Sequence, residues 1–473
     1  MPSRAAKRDS EFSLICRAHP LRSASLPATN RAESFQRMTV ITSSASGFTD
    51  NAFEAFLAAR EEPAWATDQR RHAWQVFQQL SWPGRNDEEW RRTDIRLFKL
   101  DKYAPPLAAP ADLTPPPALL TEGVQLAGRT TSLNGQGLSS ELDPAVAASG
   151  VLFGSAEQVL REHGDKLQPH FGGPAFEVTH DRFAALHGAF WSGGAVLYVP
   201  RGVKVVDPFH ALSALSGNGV DLSRITVVLE EGAEATLLTE TAGGGKQSFH
   251  CGAVELMLGP GSRLRFVSLQ NWDQAVWHFA QQKAHLAADA RLQWTIGALG
   301  GRLAKVNQEV FLAGPRSEAQ VNGVMFTEAK QHLAYHTLQH HQAPNCKSDL
   351  LYKGALQDHS RIVWRGMIKV DQGADGTDGY QRNDNLMLSN DARSDSIPGL
   401  EIEADDVRCT HGSTTGQVDD ELLFYAQSRG LTRREATRMI VSGFFQQVFD
   451  RITIESVREA LGEAIGRRIR EYS

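Results

Sequence analysis

Gly232-Ala233-Glu234-Ala235, Gly261-Ser262-Arg263-Leu264, Asp289-Ala290-Arg291-Leu292 and Arg316-Ser317-Glu318-Ala319 read as four versions of one phrase. Each opens on a small or turn-forming residue. Each then runs into a short strand such as Thr236-Leu237-Leu238 or Arg265-Phe266-Val267. The phrase returns about every 28 residues, an interval typical of stacked-repeat architectures. Farther on, turns near Ser360, Ala374, Ala392 and Asp406 come at roughly half that interval, which fits a coil with two strand faces. One such unit cannot bury its apolar face alone, whereas stacked copies share a continuous core. The expected fold is a mainly β solenoid over residues 119–416. A β-sandwich would place its turns about every 8–12 residues instead.

The flanks follow other rules. Over 50–103, Phe53, Phe56 and Leu57, then Trp74, Phe77 and Leu80, recur at helical spacing and predict a helical N-terminal domain. Residues 104–118 carry Pro105, Pro106, Pro110, Pro115, Pro116 and Pro117, which exclude helix and predict an extended linker. Residues 417–473 turn helical again. Asp419 or Asp420 caps one helix, Gly430 suits a left-handed stop, and Thr432 with Glu435 forms a capping box for the next. In the last helix Ile454, Val457, Leu461, Ala464, Ile465 and Ile469 form a stripe that needs a surface to lie against. Either the chain's own β-domain or a partner's groove would serve. Residues 1–49 read as a disordered extension, or as an upstream start with Met38 as the true first residue. The first 37 hold seven Lys/Arg against three acids and no apolar run fit for a signal peptide.

Composition narrows the function classes. A net charge of −6 gives no electrostatic reason to expect nucleic acid. Cys16, Cys251, Cys346 and Cys409 are too scattered for a zinc site or a disulfide framework, which points to a reducing compartment. No apolar run approaches the roughly 18–20 residues a membrane span needs. Gly243-Gly244-Gly245-Lys246 lacks the pattern of a phosphate-binding P-loop, and no nucleophile elbow is present. The expectation is a protein that is not an enzyme.

The C-terminal third carries a specific resemblance. Asp395-Ser396-Ile397-Pro398-Gly399-Leu400-Glu401-Ile402, Ala404 to Gly412, Leu423-Phe424-Tyr425, Ser428-Arg429-Gly430 and Ile440 to Phe445 resemble, in order, the SufB/SufD family of iron–sulfur cluster assembly proteins. Glu89-Trp90-Arg91 with Thr93-Asp94 is similar to an N-terminal signature of the SufD type. The resemblance implies a right-handed parallel β-helix, a single-stranded solenoid, with helical ends. It implies a scaffold that pairs with SufB through the β-helix and with the ATPase SufC through the C-terminal helices. Leu423, Phe424, Tyr425, Arg429, Gly430, Gly443 and Phe444 are the partner-binding candidates it brings. A bacterial cytoplasmic location is expected rather than a plastid, with neither membrane nor nucleic acid as a partner, and a homodimer is open to the chain in isolation.

Single positions favour SufD. Where SufB-type chains resemble Asn-Cys-Asp-Ser, this chain has Arg393-Ser394-Asp395-Ser396. A serine hydroxyl is a poor persulfide carrier and a poor soft-metal ligand, tasks a thiolate performs. In Cys409-Thr410-His411-Gly412, the resemblance makes His411 a contributor to a site shared with SufB. Neutral imidazole is a competent iron ligand, and a strand would put Cys409 on the same face. No cofactor is expected to bind stably, only a transient iron or iron–sulfur cluster at that junction. His336, His340 and His341 form a second histidine cluster, read mainly as solvated or stacked side chains. Two other readings stand beside this one. One is a SufB-like sulfide acceptor using Cys409 or Cys251; the other is a β-helix polysaccharide lyase.

Overall fold

The computed structural model describes residues 47–106, 114–171 and 176–469, within one compact unit, Ala45–Ser473. The expected extension lies almost wholly outside the described residues, as does the middle of the Pro-rich linker.

Two ten-stranded sheets make the body of the molecule. Successive strands alternate between them: Glu234–Gly243 in the first, Phe249–Leu258 in the second, and so on to Arg393–Ile402 and Val407–Gln417. Within the first sheet the pairing is parallel: Arg263 lies beside Arg291, Arg291 beside Glu318, Glu318 beside Lys347, Lys347 beside Asp378, and Asp378 beside Arg408. This is the expected solenoid, with each coil contributing one strand to each face.

The repeated phrase marks one corner of the coil. Gly232, Gly261, Asp289 and Arg316 all have positive φ, between 58° and 68°. That conformation suits glycine and strains a large side chain. Arg316 tolerates it with its guanidinium held by Asp289 at 2.6 and 2.8 Å. The corner amides bond the turn of the next coil, as in Gly261 N to Ala288 O at 2.8 Å. The residue after each corner is small and buried: Ala233, Ser262, Ala290, Ser317, then Cys346. Cys346 is thus a corner-packing residue, beside the Ser317 hydroxyl at 3.3 Å.

Alternation along each strand separates inside from outside. In Arg263–Trp272, Leu264 and Phe266 join the interior core with Leu292 and Trp294. Val267 and Leu269 face outward beneath the C-terminal helices Arg433–Phe449 and Glu455–Arg468. Val457, Leu461, Ala464 and Ile465 are buried there, so the amphipathic stripe lies on the chain's own sheet. On the other sheet, the helices Asp50–Ala58 and Ala64–Gln79 and the segment through Trp90 and Phe98 cover Phe249, Cys251 and Phe279. Across the linker's far end, the buried Glu240 carboxylate accepts the Leu119 and Leu120 amides at 2.7 and 3.2 Å.

The two ends of the solenoid differ. The first is closed by the antiparallel hairpin Gly128–Leu133 and Gln136–Leu142, and by Leu152–Ser155 running antiparallel to Gly194–Val199 and leading into the helix Ala156–Leu167. The second ends on Arg393–Ile402 and Val407–Gln417, each the last strand of its sheet.

Candidate functional site

An uncapped last coil leaves two backbone edges and a set of inward side chains without a covering layer. Most of Val407–Gln417 is exposed, and so are Leu400 and Ile402 on the companion strand. An open edge of this length is a template for pairing with another chain unless charges or Pro blunt it, and these strands carry Pro398, Arg393, Glu401 and Arg408.

Cys409 and His411 share the inward face of that strand, as the sequence predicted. Their environments differ. Cys409 is half-buried among Ile368, Val370 and Ala374, and its burial pushes the thiol above its usual range. Burial therefore opposes the thiolate that metal or sulfur chemistry requires. His411 is exposed, stands beside Gln381 in the preceding coil, and has no hydrogen-bond partner among the described residues. Its ring is free to accept a ligand.

Around His411 the interior changes character. Farther in, aromatic and aliphatic side chains fill the coil: Trp294, Tyr335, Leu350, Trp364. In the penultimate coil the inward positions are Gln381, Asn383 and Asn385, all buried. Gln381 Nε2 donates to the Gly399 carbonyl at 3.0 Å. Gln381 Oε1, Asn385 Oδ1, Ser394 Oγ and Ser396 Oγ are buried without a hydrogen-bond partner among the described residues. Ser394 lies beside the buried Ile362 of the preceding coil, its hydroxyl without a partner among the described residues. The alternating polar run Gln381, Asn383, Asn385 was a signal for the polar coil that sequence reasoning passed over.

No group of three or more His, Cys, Asp or Glu is placed to hold a metal ion among the described residues. At the open end of the solenoid the candidate ligands among the described residues are Cys409 and His411. The second histidine cluster disperses: His340 pairs with Asp371 at 2.8 Å, and His341 is buried against the Ser348 hydroxyl at 2.8 Å. His336 lies near Lys305 and Glu89, its pKa pushed down to about 3, mainly by burial. Cys251 is buried beneath the N-terminal helices, donates to the Phe183 carbonyl, and has its thiol pushed well up by burial.

The expected partner-binding residues also divide. Leu423 is 5% exposed and packs on Ala426 and Ala436, and Phe444 sits against Lys353. Phe424 and Tyr425 point outward, 74% and 58% exposed, with Arg429 over the Tyr425 ring. Gly430 is the left-handed stop at φ 93°, and Gly443 is exposed on the following helix. Leu422 and Met439, not singled out in the sequence as surface residues, are also more than half exposed. No helix among the described residues is long and apolar enough to cross a membrane.

Residues 212–444 match the family model for the SufBD core domain of SUF-system FeS cluster assembly, and 53–210 match that for the SufBD protein N-terminal region. An iron–sulfur cluster assembly SufBD family protein of Mycobacterium tuberculosis is 35% identical over 297 residues, covering 61% of this chain and 74% of the relative. A second from Staphylococcus epidermidis is 25% identical over 423 residues, covering 86% and 90%. With a two-faced solenoid, helical ends and this breadth of similarity, the chain belongs to the SufBD family of iron–sulfur cluster assembly proteins.

Proposed function

We propose that the chain is a SufD-type scaffold, without catalysis of its own, in a SufB–SufC–SufD assembly. The observation that carries this reading is the asymmetry of the solenoid: one end is capped by its own chain and the other is left with two open edges and a free imidazole. SufB pairs with those edges, and an iron–sulfur cluster forms there as cargo with His411 as one ligand. SufB supplies the remaining ligands, since among the described residues this end of the chain brings one ring and one protonated thiol. SufC docks on the exposed face of Leu422, Phe424, Tyr425 and Met439. Serine at 394 favours SufD over a sulfide acceptor, and so do the raised thiols of Cys409 and Cys251. In isolation, the open edges pair with those of a second copy.

The test is to express the tagged chain with SufB and SufC partners and identify what copurifies. A stable complex of all three is expected. A monomer that ignores both partners would refute the reading. Persulfide trapped on Cys251 or Cys409 after exposure to a cysteine desulfurase would favour the sulfide acceptor instead.

A further inference from the structure

A groove of about 850 Å³ crosses the outer face of the first sheet, well inside the described residues. Its floor is the row of outward side chains that begins each strand. One wall is the segment around Val206, and the other is the turn at Arg451. That turn is fixed: Gln293 Nε2 donates to the Arg451 carbonyl at 2.9 Å and Thr453 Oγ1 to Gln293 Oε1 at 3.2 Å.

The charges in the groove do not cancel. Each carboxylate lining it has a cation: Glu234 with Lys204 at 2.6 Å, Glu318 with Arg291 at 3.5 Å, Asp349 with Arg451 at 3.0 Å, Asp378 with Arg408 at 2.5 Å. Arg263, Arg265 and Lys347 also line it, are exposed, and have no ion pair among the described residues. The parallel register sets Arg263 between Arg291 on one side and Glu234 on the other, and Glu234 is already held by Lys204. The surplus is therefore three positive charges on a floor walled on two sides.

We infer that this groove is a docking site for an extended acidic peptide segment of a partner protein. Arg263 and Arg265 project from one strand and Lys347 from the third strand beyond it. At about 4.8 Å per strand, that separation is about 14 Å. An extended peptide covers the same distance in about four residues. The recognised pattern is thus an acid held between Arg263 and Arg265 and a second acid four residues along, against Lys347. The chain's own N-terminal segment, with seven Lys/Arg against three acids over residues 1–37, has the wrong sign to occupy it. This inference goes beyond the scaffold reading and does not rest on it.

The probe is a rhodamine-labelled nine-residue peptide, otherwise Gly and Ser, with two glutamates four positions apart, titrated by anisotropy against the full chain at low salt. Saturable binding is expected. It should weaken with added salt, weaken when the glutamates become glutamine or stand two apart, and fall about tenfold in the triple variant Arg263→Gln, Arg265→Gln, Lys347→Gln. The triple variant changes only exposed side chains and should melt with the parent. No binding, equal binding by the glutamine peptide, or an unaffected triple variant would overturn the inference. So would displacement by pyrophosphate at matched concentration, which would make the groove a phosphate site.

Discussion

His411 and Gly366 show two ways in which one residue matters here. His411 is exposed at the mouth of the solenoid and holds nothing else in place, so His411→Ala should leave the melting temperature within about 1 °C. In the proposed assembly the same change should cut the yield of reconstituted cluster severalfold, read from absorbance of the purified complex. An unchanged yield would remove His411 from the site. Gly366 acts through packing. A Cβ there would lie 2.2 Å from the fully buried Trp364 ring, which would have to shift, and 2.5 Å from Gln381 Oε1. Gly366→Ala should destabilise the fold by about 1–3 kcal/mol, measured by denaturant unfolding. His411 was legible because it lies in a run of matched motif residues. Gly366 was not, because its neighbour Gln381 comes from another coil.

Helices at the C-terminus separate two functions that the sequence ran together. The capping box at Thr432 and Glu435 and the left-handed Gly430 were readable, because caps are local chemistry. The stripe from Ile454 to Ile469 was readable as amphipathic, but periodicity carries no address for what it covers. It covers the chain's own Leu269, Val324 and Phe326, while a different and shorter face, around Phe424, stays in solvent. Removing residues 419–473 should therefore expose that sheet and destabilise it. Point changes isolate the two roles. Leu461→Ala, at a side chain 1% exposed, should cost about 2–4 kcal/mol in thermal or denaturant unfolding. Phe424→Glu should melt with the parent and lose SufC in a pull-down. Retention of SufC by that variant would move the docking face elsewhere.

Stacking coils into one rod also gathers titratable groups that are far apart in sequence. The rod was predictable from the repeated corners, since identical spacing forces identical stacking. Its interior charge was not, because burial of a given histidine depends on which coil lies above it. Burial holds His187 and His278 neutral with pKa values of about 3, lowers those of His332 and His341 to about 4, and pushes His250 well down. The unfolded chain binds protons on these rings below about pH 6.5, where the folded chain does not. Their contribution to stability is therefore complete above that pH and is lost as pH falls toward the folded values. Asp221, raised to about 6, and Asp181, also raised, work in the opposite sense because burial favours their neutral forms. The lowered rings, His336 among them, outnumber the raised groups Asp221, Asp181 and His180, a net difference on the order of two to three protons, or about 3–4 kcal/mol per pH unit. Against a total stability of about 5–15 kcal/mol, that is a steep dependence. Tryptophan fluorescence followed through thermal unfolding at constant ionic strength should show the melting temperature falling by roughly 5–10 °C between pH 6.5 and pH 5.5. Equal melting temperatures at those two values would mean that the buried rings accept protons within the intact rod, and that the coils part locally to let water reach them.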